Sequence, residues 1–448
     1  MTKEVRQAVE AVLPSVRADL EALVRIPSVS ALPEHAADVQ RSAEAVADLF
    51  RQEGFDVQIL TANGGAPAVV ARRPAPPGAK TVLLYAHHDV QPTGKRQDWT
   101  TEPFEPTEVG ARLYGRGAAD DKAGIAVHLA AIRALGDDLA VGVTVLVEGE
   151  EEVGSPTLAA FLAAHSELLR ADAIVIADSG NWDIGVPALT TSLRGLVDGT
   201  VEIRTLDHAV HSGMWGGLVP DAVTALIRLL GTLHDGDGNV AVAGLHSGTA
   251  APVDYPVYRL RAESGILDGV EFIGSGTAVE RLWTKPAITV VGMDVTSVAQ
   301  ASNTLSANAR AKISVRLAPG DTAERALAAV RSHLEQHVPW GAKLTFTPGD
   351  AAEPTSIDPI GPIYDVAREA LRDAWDGTEP IHMGVGGSIP FIASFREAFP
   401  DATVLVTGVE DPDTRAHGAN EGLHLAEWKR ACLAEAYLLA RLGAKDYG

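Results

Sequence analysis

The chain reads Val141-Gly-Val-Thr-Val-Leu-Val147 and continues as Glu148-Gly-Glu-Glu-Glu-Val-Gly-Ser155. The first stretch is an apolar run typical of a buried strand, and the second brings adjacent carboxylates to the end of that strand. Like charges a few ångströms apart destabilise a fold unless a metal or a bound proton compensates them. The pattern therefore indicates a metal site or a pKa-tuned acid/base pair at a sheet edge. The alternative is a solvated acidic loop, because charge runs are commonly found at surfaces.

A second strand-like run, Val82-Leu-Leu-Tyr-Ala86, leads directly into His87-His88-Asp89. Residues two apart share a face of a strand, so the pattern predicts that His87 and Asp89 point together and His88 points away. A metal-bound imidazole is usually oriented by a nearby acid, which His87-x-Asp89 would supply. A capped strand end is the alternative interpretation.

Two more apolar runs lead toward an acid or a histidine. Ala173-Ile-Val-Ile-Ala177 precedes Asp178, and Thr403-Val-Leu-Val-Thr407 is followed shortly by His417. Each residue alone could be a cap or a surface group. Together, strands that start near residues 82, 141, 173 and 403 predict a site at the carboxyl edge of an open α/β sheet.

A glycine-rich turn, Gly115-Arg-Gly-Ala-Ala-Asp-Asp-Lys122, precedes the helix-compatible run Ile125–Ile132. Asp120 and Asp121 could be ordinary helix N-terminal residues, since aspartate caps helices and favours the positive end of the dipole. A dinucleotide-binding turn is disfavoured, because its third glycine would stand where Asp120 is and a carboxylate there would repel a pyrophosphate.

Taken in order, these motifs resemble one family. They are His87-x-Asp89, Gly115-Arg-Gly-x-x-Asp120-Asp-Lys122, Glu148-Gly-x-Glu151-Glu152-x-Gly154-Ser155, Asp178, His211-Ser-Gly213, Gly386-Gly-Ser-Ile-Pro390 and His417-x-x-Asn420-Glu421. The chain resembles the dinuclear-zinc metallopeptidase family of carnosinases, bacterial dipeptidases, acetylornithine deacetylases and glutamate carboxypeptidases, and is most similar to the dipeptidase branch. The resemblance extends over roughly residues 20 to 430.

The resemblance implies two divalent metal ions per subunit, with zinc expected and manganese or cobalt as possible substitutes. Asp120 would bridge the two ions. His87 and Asp178 would complete one site, and Glu152 and His417 would complete the other. Imidazole and carboxylate ligands suit these metals. Similar family members also hold the peptide bond between Asp120 and Asp121 in the cis form.

The resemblance further implies hydrolysis of the amide bond of a dipeptide or small peptide that has a free C-terminal carboxylate. Glu151 would be the general base that takes a proton from a metal-bridging water, giving the attacking hydroxide, and Asp89 would orient His87. A deacylase of N-acyl amino acids, using the same ligands and base, is the alternative. A noncatalytic metal- or peptide-binding member is a third reading. A serine hydrolase is disfavoured, because no Gly-x-Ser-x-Gly elbow occurs.

Substrate recognition is implied for a smaller set of residues. Arg316 resembles the family arginine that grips the substrate carboxylate, for which a guanidinium fork is suited. His211 resembles a histidine that reaches into a neighbouring subunit's site to stabilise the oxyanion, which implies a homodimer. Similar dipeptidases often carry an arginine where this chain has His382-Met-Gly-Val385, so substrate side-chain preference stays open. The remaining expected substrate contacts are Asn303, Gly387 and Ser388.

Bulk composition is that of a soluble enzyme. The formal net charge of −22 disfavours nucleic acid and anionic membranes as partners. Cys432 is the single cysteine, which excludes an intrachain disulfide and fits a cytoplasmic location. The amino terminus is typical of an amphipathic helix and has no apolar signal-peptide core, and no run reaches the ~18 apolar residues of a membrane span.

The 448 residues predict two domains. Helix and strand patterns alternate through about residue 190, which predicts an α/β fold with a mostly parallel sheet and flanking helices. Because Gly387 and His417 must rejoin the site, we expect a catalytic metal-binding domain over 1–192 and 380–448, with a smaller α+β lid and dimerisation domain inserted at 193–379. The Gly- and Asp-rich stretch up to residue 276 predicts irregular surface structure.

Overall fold

The computed structural model describes residues 2–250, 252–387 and 390–444. The chain forms two compact units. The first comprises the described residues of Met1–Thr191, Ile357–Met383 and Pro390–Gly448. The second comprises those of Ser192–Ser356 and Gly384–Ile389.

The strands give the first part of the architecture. In chain order the described residues form β1 (Asp56–Leu60), β2 (Ala68–Arg73), β3 (Thr81–His87), β4 (Thr107–Val109), β5 (Arg112–Tyr114), β6 (Gly142–Glu148), β7 (Ala173–Ile176), β8 (Ala188–Leu193), β9 (Gly195–Arg204), β10 (Val210–His211), β11 (Ala287–Asp294), β12 (Thr304–Leu305), β13 (Asn308–Leu317), β14 (Lys343–Ala352), β15 (Thr355–Ser356), β16 (Ile381–Val385), β17 (Thr403–Val406) and β18 (Gly422–His424).

The helices complete it. They are α1 (Thr2–Val24), α2 (Ala36–Gln52), α3 (Lys122–Leu135), α4 (Leu158–Ala164), α5 (Ser166–Leu169), α6 (Ser212–Trp215), α7 (Ala222–Gly231), α8 (Val257–Ser264), α9 (Ala323–His337), α10 (Pro362–Ala374), α11 (Pro390–Ala398) and α12 (Leu425–Leu442). None of the described helices is long and apolar enough to span a membrane.

The main sheet of the first unit has the strand order β1-β2-β6-β3-β7-β17. Strands β6, β3, β7 and β17 are parallel, whereas β1 and β2 add antiparallel pairs at one edge. The predicted mostly parallel sheet is therefore confirmed. Parallel strands covered on both faces need continuous apolar runs, and β6 is buried along its whole length.

Helices cover this sheet. Helix α3 is buried almost throughout and packs against β3, with α1 and α12 packed against it in turn. Such a helix must be apolar on nearly every side, which explains its alanine- and isoleucine-rich sequence. Helix α10 also packs on α12, and this contact belongs to the first unit. Residues 357–379 thus lie in the first unit, in contrast to the domain boundary expected from the sequence.

The second unit is built on a four-stranded antiparallel sheet in the order β11-β13-β9-β14. Alternate residues of β13 are buried, and helices α7 and α9 cover them to form the core of this unit. The Gly- and Asp-rich stretch contains helix α8, which differs from the irregular structure expected there. That helix has no buried residue and hence no apolar face that the sequence could reveal.

Candidate metal centre

Three strands deliver polar residues to one edge of the main sheet. His87 at the end of β3 lies opposite Glu148 at the end of β6. Tyr85 lies opposite Ile176 at the end of β7, which brings Asp178 level with His87. The carboxyl ends of parallel strands meet at the same edge, so the register itself gathers these side chains.

Asp89 links His87 to the glutamate turn. His87 Nδ1 lies 3.3 Å from Asp89 Oδ1 and 3.1 Å from the Asp89 carbonyl oxygen. The same carboxylate accepts the backbone N–H groups of Glu151 at 3.2 Å and Glu152 at 3.1 Å. Asp89 therefore contacts the imidazole of His87 and the backbone of both Glu151 and Glu152. His88 points away, and its Nε2 is 2.9 Å from the Pro67 carbonyl oxygen.

Asp120 lies between two imidazoles. Its Oδ1 is 3.1 Å from His87 Nε2, and its Oδ2 is 3.0 Å from His417 Nε2. Burial opposes ionisation, but hydrogen bonds from His417 and His87 outweigh it and hold the pKa of Asp120 far below its usual range. The peptide bond between Asp120 and Asp121 is cis.

His417 and Glu152 form the other side of the cluster. His417 Nε2 lies 3.2 Å from Glu152 Oε2, and Glu152 also accepts hydrogen bonds from Gln91 N at 3.0 Å and Gln91 Nε2 at 2.7 Å. Hydrogen bonds to Asp120 and Glu152 raise the pKa of His417 to about 11. The His417 side chain is 60% exposed, whereas that of His87 is fully buried.

Glu151 and Asp178 crowd the His87 side. Glu151 Oε2 and Asp178 Oδ2 each lie 3.9 Å from His87 Nε2. Burial, together with the charges of Asp178 and Glu152, raises the pKa of Glu151 to about 9. Burial and the charges of Asp120 and Glu152 raise the pKa of Asp178 to about 7. The crowding of these carboxyl groups therefore disfavours their charged forms, and a bound divalent cation would compensate that charge.

The donor atoms fit divalent metal ions. His87, Glu151 and Asp178 form one group whose potential ligand atoms all lie within 4.8 Å of one another, and His87, Asp120 and Glu152 form another. Imidazole nitrogen with carboxylate oxygen is the donor set of zinc, manganese and cobalt sites. The two groups overlap at His87, and Asp120 presents one oxygen to each histidine. The candidate ligand atoms thus form two overlapping groups at one edge of the sheet.

The glutamates between residues 148 and 152 have different partners. Glu148 accepts a hydrogen bond from the Tyr85 hydroxyl at 2.7 Å, and Glu150 accepts the backbone N–H groups of Ala66 and Thr157, each at 2.8 Å. Glu151 and Glu152 alone of the run contribute to the candidate ligand groups among the described residues. Hydrogen bonds within the protein therefore offset part of the charge repulsion that the sequence predicted for these adjacent carboxylates.

Glu421 is the main feature that the sequence interpretation left without a role. Its carboxylate is fully buried and accepts the backbone N–H groups of Gly117, Ala119 and Asp120 at 2.9–3.1 Å. The Arg116 guanidinium pairs with it at 2.6 Å. Glu421 thereby holds the loop that presents Asp120. Its partners lie about 300 residues away, so no local pattern could have indicated them.

The expected substrate contacts belong to the second unit. His211 and Thr304 are paired residues of β10 and β12, and the Ser212 N–H donates to the Asn303 carbonyl at 2.9 Å, so His211 and Asn303 are neighbours. Both side chains are exposed. Arg316 is half-buried near the end of β13 and Gly387 lies in a bend after β16, while Ser388 lies outside the described residues.

Similar proteins were found by sequence and by structure. Residues 83–441 match the model of "Peptidase family M20/M25/M40". The chain is 34% identical over 433 residues to a cysteinylglycine-S-conjugate dipeptidase of Corynebacterium striatum, covering 95% of each chain. It is 29% identical over 385 residues to the β-Ala-His dipeptidase of Homo sapiens, covering 80% of this chain and 74% of that one.

Solved structures agree on the fold. Human carnosine dipeptidase 1 superposes with a TM-score of 0.79 at 25% identity, covering 99% of this chain and 98% of the other. The dipeptidase Dug1p of Saccharomyces cerevisiae gives a TM-score of 0.79 at 24% identity with the same coverage. The match to the family model covers most of the chain and includes every residue of the cluster at the sheet edge. The protein is therefore a member of the peptidase M20/M25/M40 family.

Proposed function

We propose that this protein is a metal-dependent dipeptidase that hydrolyses the amide bond of dipeptides bearing a free C-terminal carboxylate. The observation that carries the proposal is Asp120, whose two carboxylate oxygens each face a different histidine while Glu151 lies beside them. The relatives in sequence are named as dipeptidases, including one for cysteinylglycine S-conjugates and one for β-Ala-His.

The proposed ligands fall into two sets, one for each metal ion, as predicted from the sequence. Asp120 would be shared, with His87 and Asp178 on one ion and Glu152 and His417 on the other. We propose zinc as the native metal, with manganese or cobalt as substitutes, because the donors are imidazole and carboxylate. When bound, such ions polarise the scissile carbonyl and lower the pKa of a coordinated water to near neutrality.

Glu151 is proposed as the general base. Its side chain lies beside the cluster, and burial with the charges of Asp178 and Glu152 raises the pKa of Glu151, so its carboxylate takes up a proton readily. It would accept a proton from the attacking water and deliver it to the leaving amine. Asp89 would be a positioning residue, because it orients His87 and fixes the backbone N–H groups of Glu151 and Glu152.

The second unit is proposed to bind substrate as a lid and to dimerise. Arg316 would bind the substrate carboxylate as a bidentate fork, with Asn303, Gly387 and Ser388 as further contacts. His211 would stabilise the oxyanion in the site of a second copy. Support for a homodimer comes from the apolar side chains next to His211, since Met214 is 76% and Leu218 81% exposed. Adjacent exposed apolar residues are a mark of protein interfaces.

We also propose a cytoplasmic location. Cys432 is the single cysteine and is buried as a free thiol, so the fold makes no use of an oxidising compartment.

The test is release of amino acids from a panel of free dipeptides beside a panel of N-acetyl amino acids. Chelated protein, restored with Zn²⁺ or Mn²⁺, is compared with protein left without added metal. Metal-dependent cleavage of dipeptides only is expected. Preference for the acetylated set would overturn the substrate assignment, and metal-independent turnover would overturn the mechanism.

A further inference from the structure

Arg194 of the second unit is held against the Gly386–Gly387 bend. It lies between β8 and β9, where its backbone N–H donates to the Val385 carbonyl at 3.1 Å. Its side-chain Nε donates to the Gly386 carbonyl at 3.2 Å. The guanidinium is thus fixed at the backbone of the bend, which contains one expected substrate contact, Gly387.

A side chain at Gly386 would meet the Arg194 guanidinium. A Cβ on Gly386 would lie 2.9 Å from Arg194 Nη2 and 3.3 Å from the Leu282 carbonyl oxygen. Arg194 Nη2 is the far end of a flexible side chain, so a larger residue at position 386 would displace the guanidinium, and the Leu282 backbone would have to shift by a few tenths of an ångström. The bend and Arg194 therefore fit each other closely.

A second guanidinium lies beside this one. Arg316 of β13 pairs with Leu196 of β9, and Arg194 is two residues before Leu196. Residues two apart on an extended chain share a face, so Arg194 and Arg316 are diagonal neighbours across the two strands. Burial, together with the positive charge of Arg316, lowers the pKa of Arg194 to about 10.

The positive charge of Arg316 acts against the charge of Arg194, and a bound anion would offset this repulsion. Arg194 is half-buried, and no carboxylate acts on it to raise its pKa. None of the ion pairs formed by the described residues includes Arg194, which has the Gly386 carbonyl as its acceptor. A guanidinium has five N–H donors in a planar fork, so Arg194 retains capacity for a carboxylate after bonding to one carbonyl.

We propose that Arg194 is a second carboxylate-binding residue, which joins Arg316 in a two-guanidinium site for the C-terminal carboxylate of the substrate and positions the Gly386–Gly387 bend against it. This inference rests on the proposed dipeptidase function. In this role Arg194 favours the binding of substrates that have a free carboxylate. It takes no part in the chemistry at the scissile bond.

The experiment compares a dipeptide with its C-terminal amide, using Arg194→Gln, Arg194→Lys and the control Arg204→Gln. Arg204 ends the same strand, β9, and is exposed. We expect Arg194→Gln to raise KM for the dipeptide by roughly 10- to 100-fold, as loss of a hydrogen bond to a charged group does, with kcat within a few-fold. The kcat/KM for the amide should be unchanged. Arg194→Lys should be intermediate and the control neutral.

Equal losses on dipeptide and amide would overturn the proposal, because they would mean that Arg194 only supports the bend. No loss on either would also overturn it. Circular dichroism identifies misfolded variants. If Arg194→Gln is misfolded, the dipeptide and its amide are compared with Arg194→Lys instead. If the wild-type protein cleaves no dipeptide, the proposed function fails separately. Inorganic sulfate then serves as the probe, and a thermal shift that Arg194→Gln abolishes upholds the anion site, whereas equal shifts overturn it.

Discussion

Identical residues at the sheet edge have different roles because their surroundings differ. Glu150 bonds to protein backbone, while Glu151 has its own N–H fixed by Asp89 and its carboxylate free to face His87. Glu152 is braced by Gln91. A single substitution in this run should therefore remove one role without the others.

Replacing Glu151 by Gln should remove most turnover and leave metal content intact. The amide keeps the shape of the side chain but cannot take up a proton, and general bases contribute about 10²- to 10⁴-fold to rates. Steady-state kinetics with elemental analysis of bound metal checks this, with exposed Glu108→Gln as the control. Unchanged kcat would remove Glu151 from the mechanism.

A buried histidine on α3 gives a pH-dependent contribution to stability. His128 Nδ1 lies 2.9 Å from both Glu435 oxygens and Nε2 lies 3.0 Å from the Tyr85 carbonyl oxygen. Both ring nitrogens face acceptors, so the imidazolium is favoured. Burial acts to lower the pKa of His128, but the Glu435 carboxylate outweighs it and raises the pKa above its ordinary value.

The stabilisation from His128 should be complete below its unfolded pKa, about 6.5, and should be lost as pH rises through the higher folded value. Denaturant midpoints of wild type and His128→Leu, measured from pH 6 to 9, test this. We expect the variant to be destabilised by about 3–5 kcal/mol at pH 6, because Glu435 is left unpaired. A difference that does not shrink at higher pH would contradict the assignment.

At the scale of elements, the loop that presents Asp120 is held from the other end of the chain. Strand β18 pairs with β5, with Gly422 opposite Tyr114. This pairing brings Glu421 to the backbone N–H groups of Gly117, Ala119 and Asp120. The strand pair is small, but it aligns a distant carboxylate with the loop of the candidate metal centre.

Glu421→Gln should weaken metal binding by about 10- to 100-fold, the usual effect of losing a residue that orients a ligand. The amide places N–H donors against backbone N–H groups and deprives Arg116 of its carboxylate partner. Competition of the protein with a metallochromic chelator measures the affinity, and Glu397→Gln at an exposed position of α11 is the matched control. Equal affinities in the two variants would show that the loop needs no anchor.

The elements show what the sequence could and could not predict. Strands β3, β6, β7 and β17 were predictable because buried parallel strands leave continuous apolar runs. Helix α8 was not, since it buries no residue and so shows no apolar period. The helical pattern of α10 does not reveal that it packs on α12, which is why the expected domain boundary at 379 differs from the observed unit boundary.

In the candidate site, too, local features were predictable from the sequence and distant contacts were not. Residues that end apolar strands, such as His87 and Asp178, could be located from local sequence. Their grouping depends on strand register, which the order of motifs suggested only through resemblance to a family. The roles of Glu421 and Arg194 rest on partners far along the chain, Asp120 and Gly386, and local patterns contain no signal for such pairs.

At the scale of the whole molecule, charge and apolar exposure act in opposite senses on self-association. The formal net charge of −22 disfavours close approach of two copies. The second unit nevertheless exposes apolar side chains around His211, and β11 at the edge of its sheet exposes Val290, Val291 and Met293. Burial of these groups would favour association through the second unit.

We expect a dimer in sedimentation velocity, and we expect Leu218→Glu to shift it toward monomer with a parallel loss of kcat, because His211 would no longer reach a second site. Ile360→Glu is the control, since Ile360 is 77% exposed but belongs to the first unit. A monomeric Leu218→Glu variant with full activity would exclude a shared site.

The discontinuity of the first unit has a consequence for biosynthesis. Ser192–Ser356 of the second unit is inserted between stretches of the first. On the ribosome His87, Asp120 and Asp178 emerge early, while His417 and Glu421 follow only after the inserted unit is complete. Domains fold as units once their segments are available. With the proposed ligands, capture of metal would be tied to translation of the last segment, because a nascent chain halted before His417 would lack one of them.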